Sequence, residues 1–450
     1  MGLLPGSSAR GVRSADRGVT NMGIHQELTK RTRAVLPSWL SLYYDEPIAI
    51  DRGEGRTVWD LEGNEYLDFF GGILTTMTAY SLPEVTAAIN EQAAKVLHTS
   101  TLYLNRPMVE LAEMVAEMSG IPDAKVFFTP SGTEANDAAM LLATSYRKSN
   151  QVLALRNSYH GRSFTAIALT SHRAWSPTGY SGLNVQYVQG PYKVRSPYKD
   201  LGDDAFVDAA VEDLKQVIDM MTSGDVACMI AEPIQGVGGF ATPPDGFFKR
   251  FKDILDQYGI LFVSDEVQTG WGRTGEHMWG YQAHSITPDI MTFAKGIGNG
   301  LSIGGVVARA EIMDCVGANS ISTFGGNPLV SAGALANLKY LVDNDLQGNS
   351  LKQGSRLYES LLPVAEETPW ILELRGKGLM LAIETVEPGT TEPDGARAGR
   401  LLEECRKRGL LIGKGGLYGN VLRIAPPMTV TEQEIDTAAE IIADAVSNID

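Results

Sequence analysis

The sequence predicts an α/β fold in which helices cover both faces of a mostly parallel β-sheet. Five short apolar runs in the middle of the chain each pass directly into a polar or glycine-rich segment, and helix-like stretches lie between them. Strands that alternate with helices pair in parallel, because each helical crossover returns the chain to the same edge of the sheet. The two ends of the chain lack this alternation and are predicted to form a second, smaller domain.

Each predicted central strand is an apolar run that ends at a polar segment. The runs are Lys125–Phe128 before TPSGTEAN, Gln151–Leu155 before RNSYHG, Val226–Ala231 before EPIQGVGG, Ile260–Val263 before SDEVQTG and Ile290–Ala294 before KGIGNG. The helix-like stretches are Glu134–Arg147, Phe206–Met221 and Phe247–Tyr258. Ligands of parallel sheets bind at the carboxyl ends of the strands, so we expect the five polar segments to form one site.

The changes in pattern along the chain set the predicted domain limits. Residues 24–74 and 331–450 are predicted to form the smaller domain, and residues 75–330 the larger one. Residues 1–23 are rich in arginine and serine and lack an apolar pattern, which predicts a disordered tail. A targeting segment and an upstream start are the alternatives for this tail.

The composition limits the classes of protein to which the chain can belong. A chain of 450 residues buries a large core without disulfides or a structural metal, and its histidine and cysteine spacings predict no zinc site. The three scattered cysteines favour a reducing compartment, from which we predict a cytoplasmic location. The net charge of −16 without a basic run disfavours nucleic-acid binding, and no apolar stretch is long enough to predict a membrane span.

The segment SGTEAN is a candidate phosphate cradle at the end of the first central strand. It opens a strong helix, and Ser131 and Glu134 have the spacing of a capping box. Backbone N–H groups at a helix start bind phosphate well, with help from the helix dipole, and the hydroxyls of Ser131 and Thr133 would add donors. An ordinary capped helix is the alternative. Thr431 and Glu434 predict a second capping box at the last helix.

Four further residues follow the other strands. Tyr159 is suited to stack on a ligand ring, although an aromatic side chain at the edge of the core is the alternative. Asp265 follows four apolar residues, so a buried carboxylate in need of a partner is expected, and Gln268 lies three residues further on. Lys295 ends an apolar run and is followed by three alternating glycines, which predicts either a surface turn or a reactive amine beside a bulky ligand.

These features together match the requirements of pyridoxal 5'-phosphate. The aldehyde of this cofactor forms a Schiff base with a lysine amine, its phosphate needs donors, its ring needs a stacking partner, and its pyridine nitrogen needs an acid. We therefore predict that Lys295 is the Schiff-base lysine and the base that moves the proton, and that Asp265 is the partner of the pyridine nitrogen. The prediction depends on the set of residues and not on any one of them.

From about residue 35 onward the chain resembles the class III aminotransferases of the fold type I pyridoxal-phosphate enzymes, which include ornithine, 4-aminobutyrate and alanine–glyoxylate type 2 aminotransferases. The motifs that carry the resemblance are SGTEAN, YHGR, AEPIQGVGG, SDEVQTGWGR, PDIMTFAKGIGNG, TFGGNP, RGKGLM and LRIAPPMT. The resemblance implies a large domain with a mostly parallel seven-stranded sheet and a smaller α+β domain formed by both termini.

The resemblance also implies roles around the cofactor. The phosphate-binding residues would be Ser131, Gly132 and Thr133. His160 would lie beside the stacked Tyr159, and Gln268 would contact the ring hydroxyl. Thr323 would reach the phosphate of a neighbouring subunit, which implies a homodimer with a shared active site, with a tetramer of such dimers as the alternative.

Two residues are expected to bind the substrate. The resemblance implies that Arg423 clamps the substrate carboxylate, a task that suits a guanidinium fork, and that Glu232 pairs with Arg423 when an ω-amine is bound. A solvent-facing strand residue is the alternative for Arg423, and a solvated strand end is the alternative for Glu232. The implied activity is transfer of an amino group from an α- or ω-amino acid, such as alanine, 4-aminobutyrate or β-alanine, to pyruvate or glyoxylate by ping-pong kinetics.

Two other activities fit the same residues. Decarboxylation or an intramolecular amino shift would use the same scaffold, and a non-enzymatic cofactor-binding protein is a third alternative.

The chain departs from the family at one loop, where Ala79, Tyr80 and Leu82 stand in place of the usual glycine and two histidines. Because this loop borders the substrate entrance in relatives, the departure leaves the amino donor open.

Overall fold

The computed structural model describes residues 23–179 and 181–449. The strands are β1 (Ile50–Glu54), β2 (Thr57–Asp60), β3 (Glu65–Asp68), β4 (Ala124–Thr129), β5 (Gln151–Leu155), β6 (Asn184–Val188), β7 (Val226–Ala231), β8 (Leu261–Asp265), β9 (Ile290–Phe293), β10 (Gly304–Arg309), β11 (Ile371–Lys377), β12 (Met380–Thr385), β13 (Leu410–Leu411), β14 (Gly413–Gly415) and β15 (Val421–Ile424).

The helices are α1 (Ile24–Val35), α2 (Gly71–Leu74), α3 (Pro83–Lys95), α4 (Arg106–Met118), α5 (Gly132–Arg147), α6 (Phe164–Leu169), α7 (Asp203–Met221), α8 (Phe247–Tyr258), α9 (Ala310–Met313), α10 (Pro328–Asp343), α11 (Leu346–Glu367), α12 (Gly395–Lys407) and α13 (Glu432–Ser447). Short 3-10 helices lie at Lys193–Arg195, Gly280–His284 and Lys295–Gly298. The predicted tail, residues 1–23, lies outside the described residues except for Gly23, which precedes α1.

The central sheet has seven strands in the order β4-β10-β9-β8-β7-β5-β6, which confirms the predicted fold class. Only β10 runs against its two neighbours in this sheet. The reason is the short connection from β9, because residues 294–303 leave no room for the helical crossover that a parallel pair requires. The other six strands share one direction, so their carboxyl ends meet at one edge.

Helices pack on both faces of this sheet. Along β5, Leu153 and Leu155 join an apolar cluster with the phenylalanines of α7 and α8, whereas Val152 and Ala154 join another cluster with α5. Successive side chains of a strand point to opposite faces, so the sheet forms the middle layer between two helical layers.

The two ends of the chain meet in one of the smaller sheets. That sheet has the order β1-β2-β3-β13, and β13 pairs in parallel with β3 through Leu410 opposite Leu67. A second sheet, β11-β12-β15-β14, carries Arg423 on β15. Both termini therefore contribute to the smaller α+β part, while the exact limits, residues 24–74, 75–330 and 331–450, remain predictions.

The two predicted capping boxes have different outcomes. At α13 the hydroxyl of Thr431 accepts the N–H of Glu434, and the Glu434 carboxylate accepts the N–H of Thr431, as predicted. At α5 the prediction is wrong in its second half, because the Glu134 carboxylate accepts the hydroxyl of Ser322 instead. Among the described residues, no helix combines the length and the apolar character needed to cross a membrane.

Candidate functional site

Three neighbouring strand ends place the ionisable residues of the site together. Glu232 follows β7, Asp265 ends β8, and Lys295 begins the 3-10 turn after β9. The Lys295 amine makes no hydrogen bond with the described residues. Burial lowers the pKa of Lys295. The carboxylates of Asp265 and Glu232 raise this pKa, and the guanidinium of Arg423 lowers it further. The four residues are therefore within electrostatic reach of one another.

Asp265 is a buried carboxylate with three hydrogen-bond partners. Its Oδ2 accepts the Asn136 amide at 2.8 Å and lies 2.7 Å from Nδ1 of His160, and its Oδ1 accepts the N–H of Val267 at 3.2 Å. An ionised carboxylate only accepts hydrogen bonds, so donors on both oxygens suit the charged form. The bond from Asn136 also fixes the direction in which the carboxylate points.

Asn136 is a site residue to which the sequence analysis gave no role. Its amide nitrogen donates to Asp265 and to the carbonyl of His160, and its amide oxygen accepts the hydroxyl of Thr292 at 2.8 Å. A signal was present in the sequence, because Asn136 lies four residues after Gly132 and thus on the same helix face. A polar residue on a face whose other buried side chains are apolar, such as Ala139 and Met140, indicates a buried partner.

The predicted phosphate cradle opens α5. The hydroxyl of Ser131 accepts the N–H of Glu134 at 3.3 Å, while the N–H groups of Gly132 and Thr133 have no acceptor within the helix. A Cβ at Gly132 would meet the Val267 side chain at 3.2 Å, so glycine gives this side chain clearance at the start of the helix. The helix start thus presents free N–H groups to an anion.

Thr133 has a second function in this region. Its hydroxyl accepts the N–H groups of Arg162 at 2.9 Å and Ser163 at 3.2 Å, and thereby fixes the YHGR segment to the cradle. The structure places Thr133 at the cradle but directs its hydroxyl oxygen to this segment.

Tyr159 and Gln268 lie on the same edge of the sheet. The Tyr159 N–H donates to Glu232 at 2.9 Å, and the Tyr159 ring is half-buried with its centroid 5.6 Å from that of Trp175. The Gln268 side chain packs against Gly236, where a Cβ would lie 2.1 Å from its nitrogen, and its buried oxygen has no partner. An unpartnered buried amide oxygen indicates a ligand position.

Glu232 and Arg423 do not form an ion pair. The Glu232 carboxylate accepts the N–H groups of Tyr159 and Gly236, and burial raises its pKa to about 7. Arg423 donates to the carbonyls of Gly236 at 3.3 Å and Lys414 at 3.0 Å. Both side chains thus bond to the backbone of Gly236, and no described carboxylate pairs with the guanidinium.

The Arg423 guanidinium lies in an aromatic box. It is 5.0 Å from the ring centroid of Phe70 and 5.6 Å from that of Phe240, and Tyr43 contacts it through a hydroxyl at 3.4 Å. Its Nε is buried without a partner. The solvent-facing alternative for Arg423 is therefore wrong, because the side chain is 4% exposed.

Thr323 is not brought into this cluster. It is exposed, and it makes no hydrogen bond within the described residues. Its neighbour Ser322 ties the loop to the cradle through Glu134 at 2.8 Å, so Thr323 stands at the surface near the start of α5.

The mouth of the site carries residues that the sequence analysis missed. The guanidinium of Arg162 lies 5.4 Å from the ring centroid of Trp39, and Trp175 meets the edge of Tyr159. Both tryptophans are more than half exposed. Only the tertiary structure brings Trp39 to Arg162, since the two are far apart in the sequence.

The residues fit pyridoxal phosphate. Free N–H groups at the start of α5 suit its phosphate, the unpartnered oxygen of Gln268 suits a polar ring substituent, and the unbonded amine of Lys295 suits its aldehyde. The buried carboxylate of Asp265 suits its ring nitrogen, which requires an acid.

The raised pKa of Glu232 predicts a pH-dependent contribution to stability. Folded protein keeps the proton on Glu232 up to about pH 7, whereas unfolded chain releases it near the ordinary value of 4.5. The folded state therefore binds more protons between these values, and this contribution falls as pH rises. Gln at this position cannot titrate. We therefore expect the free energy of unfolding of Glu232→Gln to rise by up to about 3 kcal/mol relative to that of the wild type between pH 5 and pH 8.

Urea unfolding of the cofactor-free proteins at the two pH values measures this change. Glu359→Gln, on the exposed side of α11, is the control and should show no such trend. A Glu232→Gln difference that stays constant from pH 5 to pH 8 would contradict the prediction.

Comparisons with known proteins agree with this geometry. The family model described as "Aminotransferase class-III" matches residues 42–446. The mitochondrial alanine–glyoxylate aminotransferase 2 of Homo sapiens is 33% identical over 429 residues, which cover 91% of this chain and 84% of the relative. The acetylornithine aminotransferase of Methanothermobacter thermautotrophicus is 34% identical over 417 residues, which cover 91% and 96%.

A solved structure shows the same fold. The crystal structure of a thermostable (S)-enantioselective omega-transaminase from Thermomicrobium roseum matches with a TM-score of 0.87 and 34% identity, over 94% of this chain and 98% of that chain. Together with the family match, which spans nearly the whole chain, this shows that the chain belongs to the class-III aminotransferases, a family of pyridoxal-phosphate enzymes.

Proposed function

We propose that this aminotransferase moves the amino group of an α- or ω-amino acid, such as alanine, 4-aminobutyrate or β-alanine, to a 2-oxo acid such as pyruvate or glyoxylate. The observation that carries the proposal is the buried Arg423, which lies within electrostatic reach of the Lys295 amine. In the part of the chain that the structure describes, the guanidinium has no carboxylate partner and the amine makes no hydrogen bond. A desolvated guanidinium binds a carboxylate with two parallel hydrogen bonds, so Arg423 is suited to the carboxylate common to both substrates.

When bound, pyridoxal phosphate supplies the aldehyde that takes up the amino group and the ring that stabilises negative charge on the adjacent carbon. Lys295 is the proposed base, because burial lowers the pKa of its amine and favours the neutral form that takes a proton. Asp265 would hold the proton of the ring nitrogen. The other cofactor-binding residues would be Ser131, Gly132, Thr133, Tyr159, His160 and Gln268.

A single carboxylate clamp favours ping-pong kinetics. Donor and acceptor both need Arg423, so they occupy the pocket in turn and not together. Glu232 would pair with Arg423 when an ω-amine donor places its carboxylate elsewhere. Their contacts with one residue support this exchange, because Glu232 accepts the N–H of Gly236 and Arg423 donates to its carbonyl.

We also propose a homodimer in which Thr323 completes the partner's phosphate site. The loop with Thr323 exposes Ile321 and Phe324, and the ring centroid of Phe324 lies 4.8 Å from that of His98. The segment that follows His98 also exposes apolar side chains, those of Leu102, Tyr103 and Leu104. Apolar side chains exposed in this way favour an interface. A monomer mass in sedimentation equilibrium would contradict the dimer, and a tetramer would extend it.

The cytoplasmic location remains a prediction that rests on free cysteines and that cell fractionation would test.

The absorbance spectrum of the purified protein, recorded with one amino donor at a time, tests the function. We expect the visible band of lysine-bound cofactor to bleach with at least one of L-alanine, 4-aminobutyrate, β-alanine and L-ornithine, and to return on addition of pyruvate or glyoxylate. Carbon dioxide release, or turnover without a second substrate, would indicate decarboxylation or an amino shift instead. A protein that never acquires the band would contradict the enzymatic function.

A further inference from the structure

The loop that departs from the family pattern contacts a buried carboxylate. The hydroxyl of Tyr80 donates to Oδ2 of Asp68 at 2.5 Å. Asp68 is 5% exposed and forms no ion pair with any described residue. Its other oxygen accepts the N–H groups of Phe70 at 2.8 Å and Gly71 at 3.1 Å. Burial raises the pKa of Asp68, whereas the bonds from Tyr80, Phe70 and Gly71 act in the opposite direction. Tyr80 is thus the side-chain donor to a buried carboxylate, and such a carboxylate is destabilised when it loses a donor.

Asp68 holds the start of an unusual turn. From Gly71 to Leu74 the backbone is left-handed, with φ of 54°, 58°, 68° and 60°. Glycine adopts this conformation freely, but Ile73 and Leu74 do so only where the surroundings enforce it. Asp68 accepts the N–H groups of Phe70 and Gly71 and so fixes the backbone at the start of the turn. The direction of the Phe70 side chain follows from this backbone position.

Phe70 forms one wall of the aromatic box around Arg423. Its ring lies 5.0 Å from the guanidinium and 5.6 Å from the ring of Tyr43, and it fills the space above Gly413, where a Cβ would lie 2.1 Å from it. Because no carboxylate of the described residues holds Arg423, its position depends on two carbonyls, one hydroxyl and these ring faces. Movement of Phe70 would leave the guanidinium free to tilt.

We propose that Tyr80 is a positioning residue for Arg423 and acts on substrate binding through Asp68 and Phe70. The inference rests on the proposed carboxylate-binding function of Arg423. It explains how a change in the entrance loop keeps the clamp in place: the loop supplies a phenol hydroxyl that reaches Asp68.

The rest of the loop has independent anchors. Asn299 accepts the N–H of Thr78 at 3.0 Å and donates to the carbonyl of Ala79 at 2.9 Å, and the backbone of Tyr80 pairs with Gly55. Loss of the Tyr80 hydroxyl therefore releases the Asp68 end and leaves the loop itself in place.

Tyr80→Phe in the cofactor-loaded enzyme tests the proposal. We expect the KM for pyruvate, and for the donor found by the spectral screen, to rise about 10-fold while kcat changes less than about 2-fold, as the loss of a hydrogen bond to a buried carboxylate predicts. Calorimetric titration with propionate, an amine-free carboxylate, should show a matching loss of affinity. The matched control is Tyr258→Phe, which removes a 2.8 Å hydrogen bond to Asp219 on the outer helices and should change neither quantity.

Two further variants separate the possible failures. Arg423→Ala should lose propionate binding; if it does not, the carboxylate clamp itself is wrong. If Arg423→Ala loses binding and Tyr80→Phe binds propionate like the wild type, the positioning role alone is overturned. A fall in kcat with an unchanged KM in Tyr80→Phe would likewise overturn it, since that result indicates a general structural effect. Should Tyr80→Phe fold poorly, the double variant Tyr80→Phe/Asp68→Asn, which leaves no carboxylate to satisfy and retains an acceptor for Phe70 and Gly71, is expected to give the same KM increase, and a wild-type KM in it would contradict the proposal.

Discussion

We expect Lys295→Ala to lower turnover by about 10⁴-fold or more, because the variant loses the amine that we propose both to bind the cofactor covalently and to move the proton. No other side chain replaces this amine. Nδ1 of His160 is engaged by Asp265 at 2.7 Å, and Glu232 is held by two backbone N–H groups. Steady-state kinetics with the identified donor and pyruvate measure the loss.

The controls for this variant separate chemistry from folding. Lys295→Arg keeps a positive charge but cannot act as a base, so it should be as inactive as the alanine variant. Lys95→Ala removes an exposed lysine that pairs with Glu91 at 2.6 Å and should leave turnover unchanged. Retention of more than about one tenth of wild-type turnover in Lys295→Ala would contradict the assignment of the base.

The central sheet was predictable because its signals are local. An apolar run followed by a polar segment marks each of β5, β7, β8 and β9, and the structure places these strands within two residues of the predictions. The direction of β10 was not predictable in this way, since it follows from the length of the connection after Lys295 and not from its own composition.

The residues of the site that lie at strand ends were predictable for the same reason. Asp265 and Lys295 lie at the ends of adjacent strands, so the strand pattern alone brings them together. The surroundings of Arg423 follow from different contacts: Phe70 reaches it because β3 pairs with β13 and the turn after β3 is left-handed. Such contacts join segments from opposite ends of the chain, and no periodicity in the sequence records them.

The carboxylate of Asp265 leads to the second large expected effect. Asp265→Asn keeps the size of the side chain but replaces one acceptor oxygen with a donor nitrogen. One oxygen of Asp265 faces donors from Asn136 and His160, and the other faces the N–H of Val267. The new amide nitrogen therefore meets a donor in either orientation, and the negative charge beside Lys295 is lost. We expect turnover to fall about 10²- to 10⁴-fold and cofactor to dissociate more readily.

Asp289→Asn provides the matched control for this change. Asp289 precedes β9 at the opposite edge of the same sheet, where its carboxylate accepts the N–H of Phe262 at 2.9 Å. Because Asp289 lies outside the site, its substitution changes stability only. Turnover and cofactor retention after dialysis should therefore match those of the wild type. If Asp265→Asn also retained both, the acid at the end of β8 would have no part in the chemistry. The donors from Asn136 and His160 would then serve only to bury a structural carboxylate. A loss confined to Asp265→Asn would instead show that these donors keep an acceptor facing the cofactor.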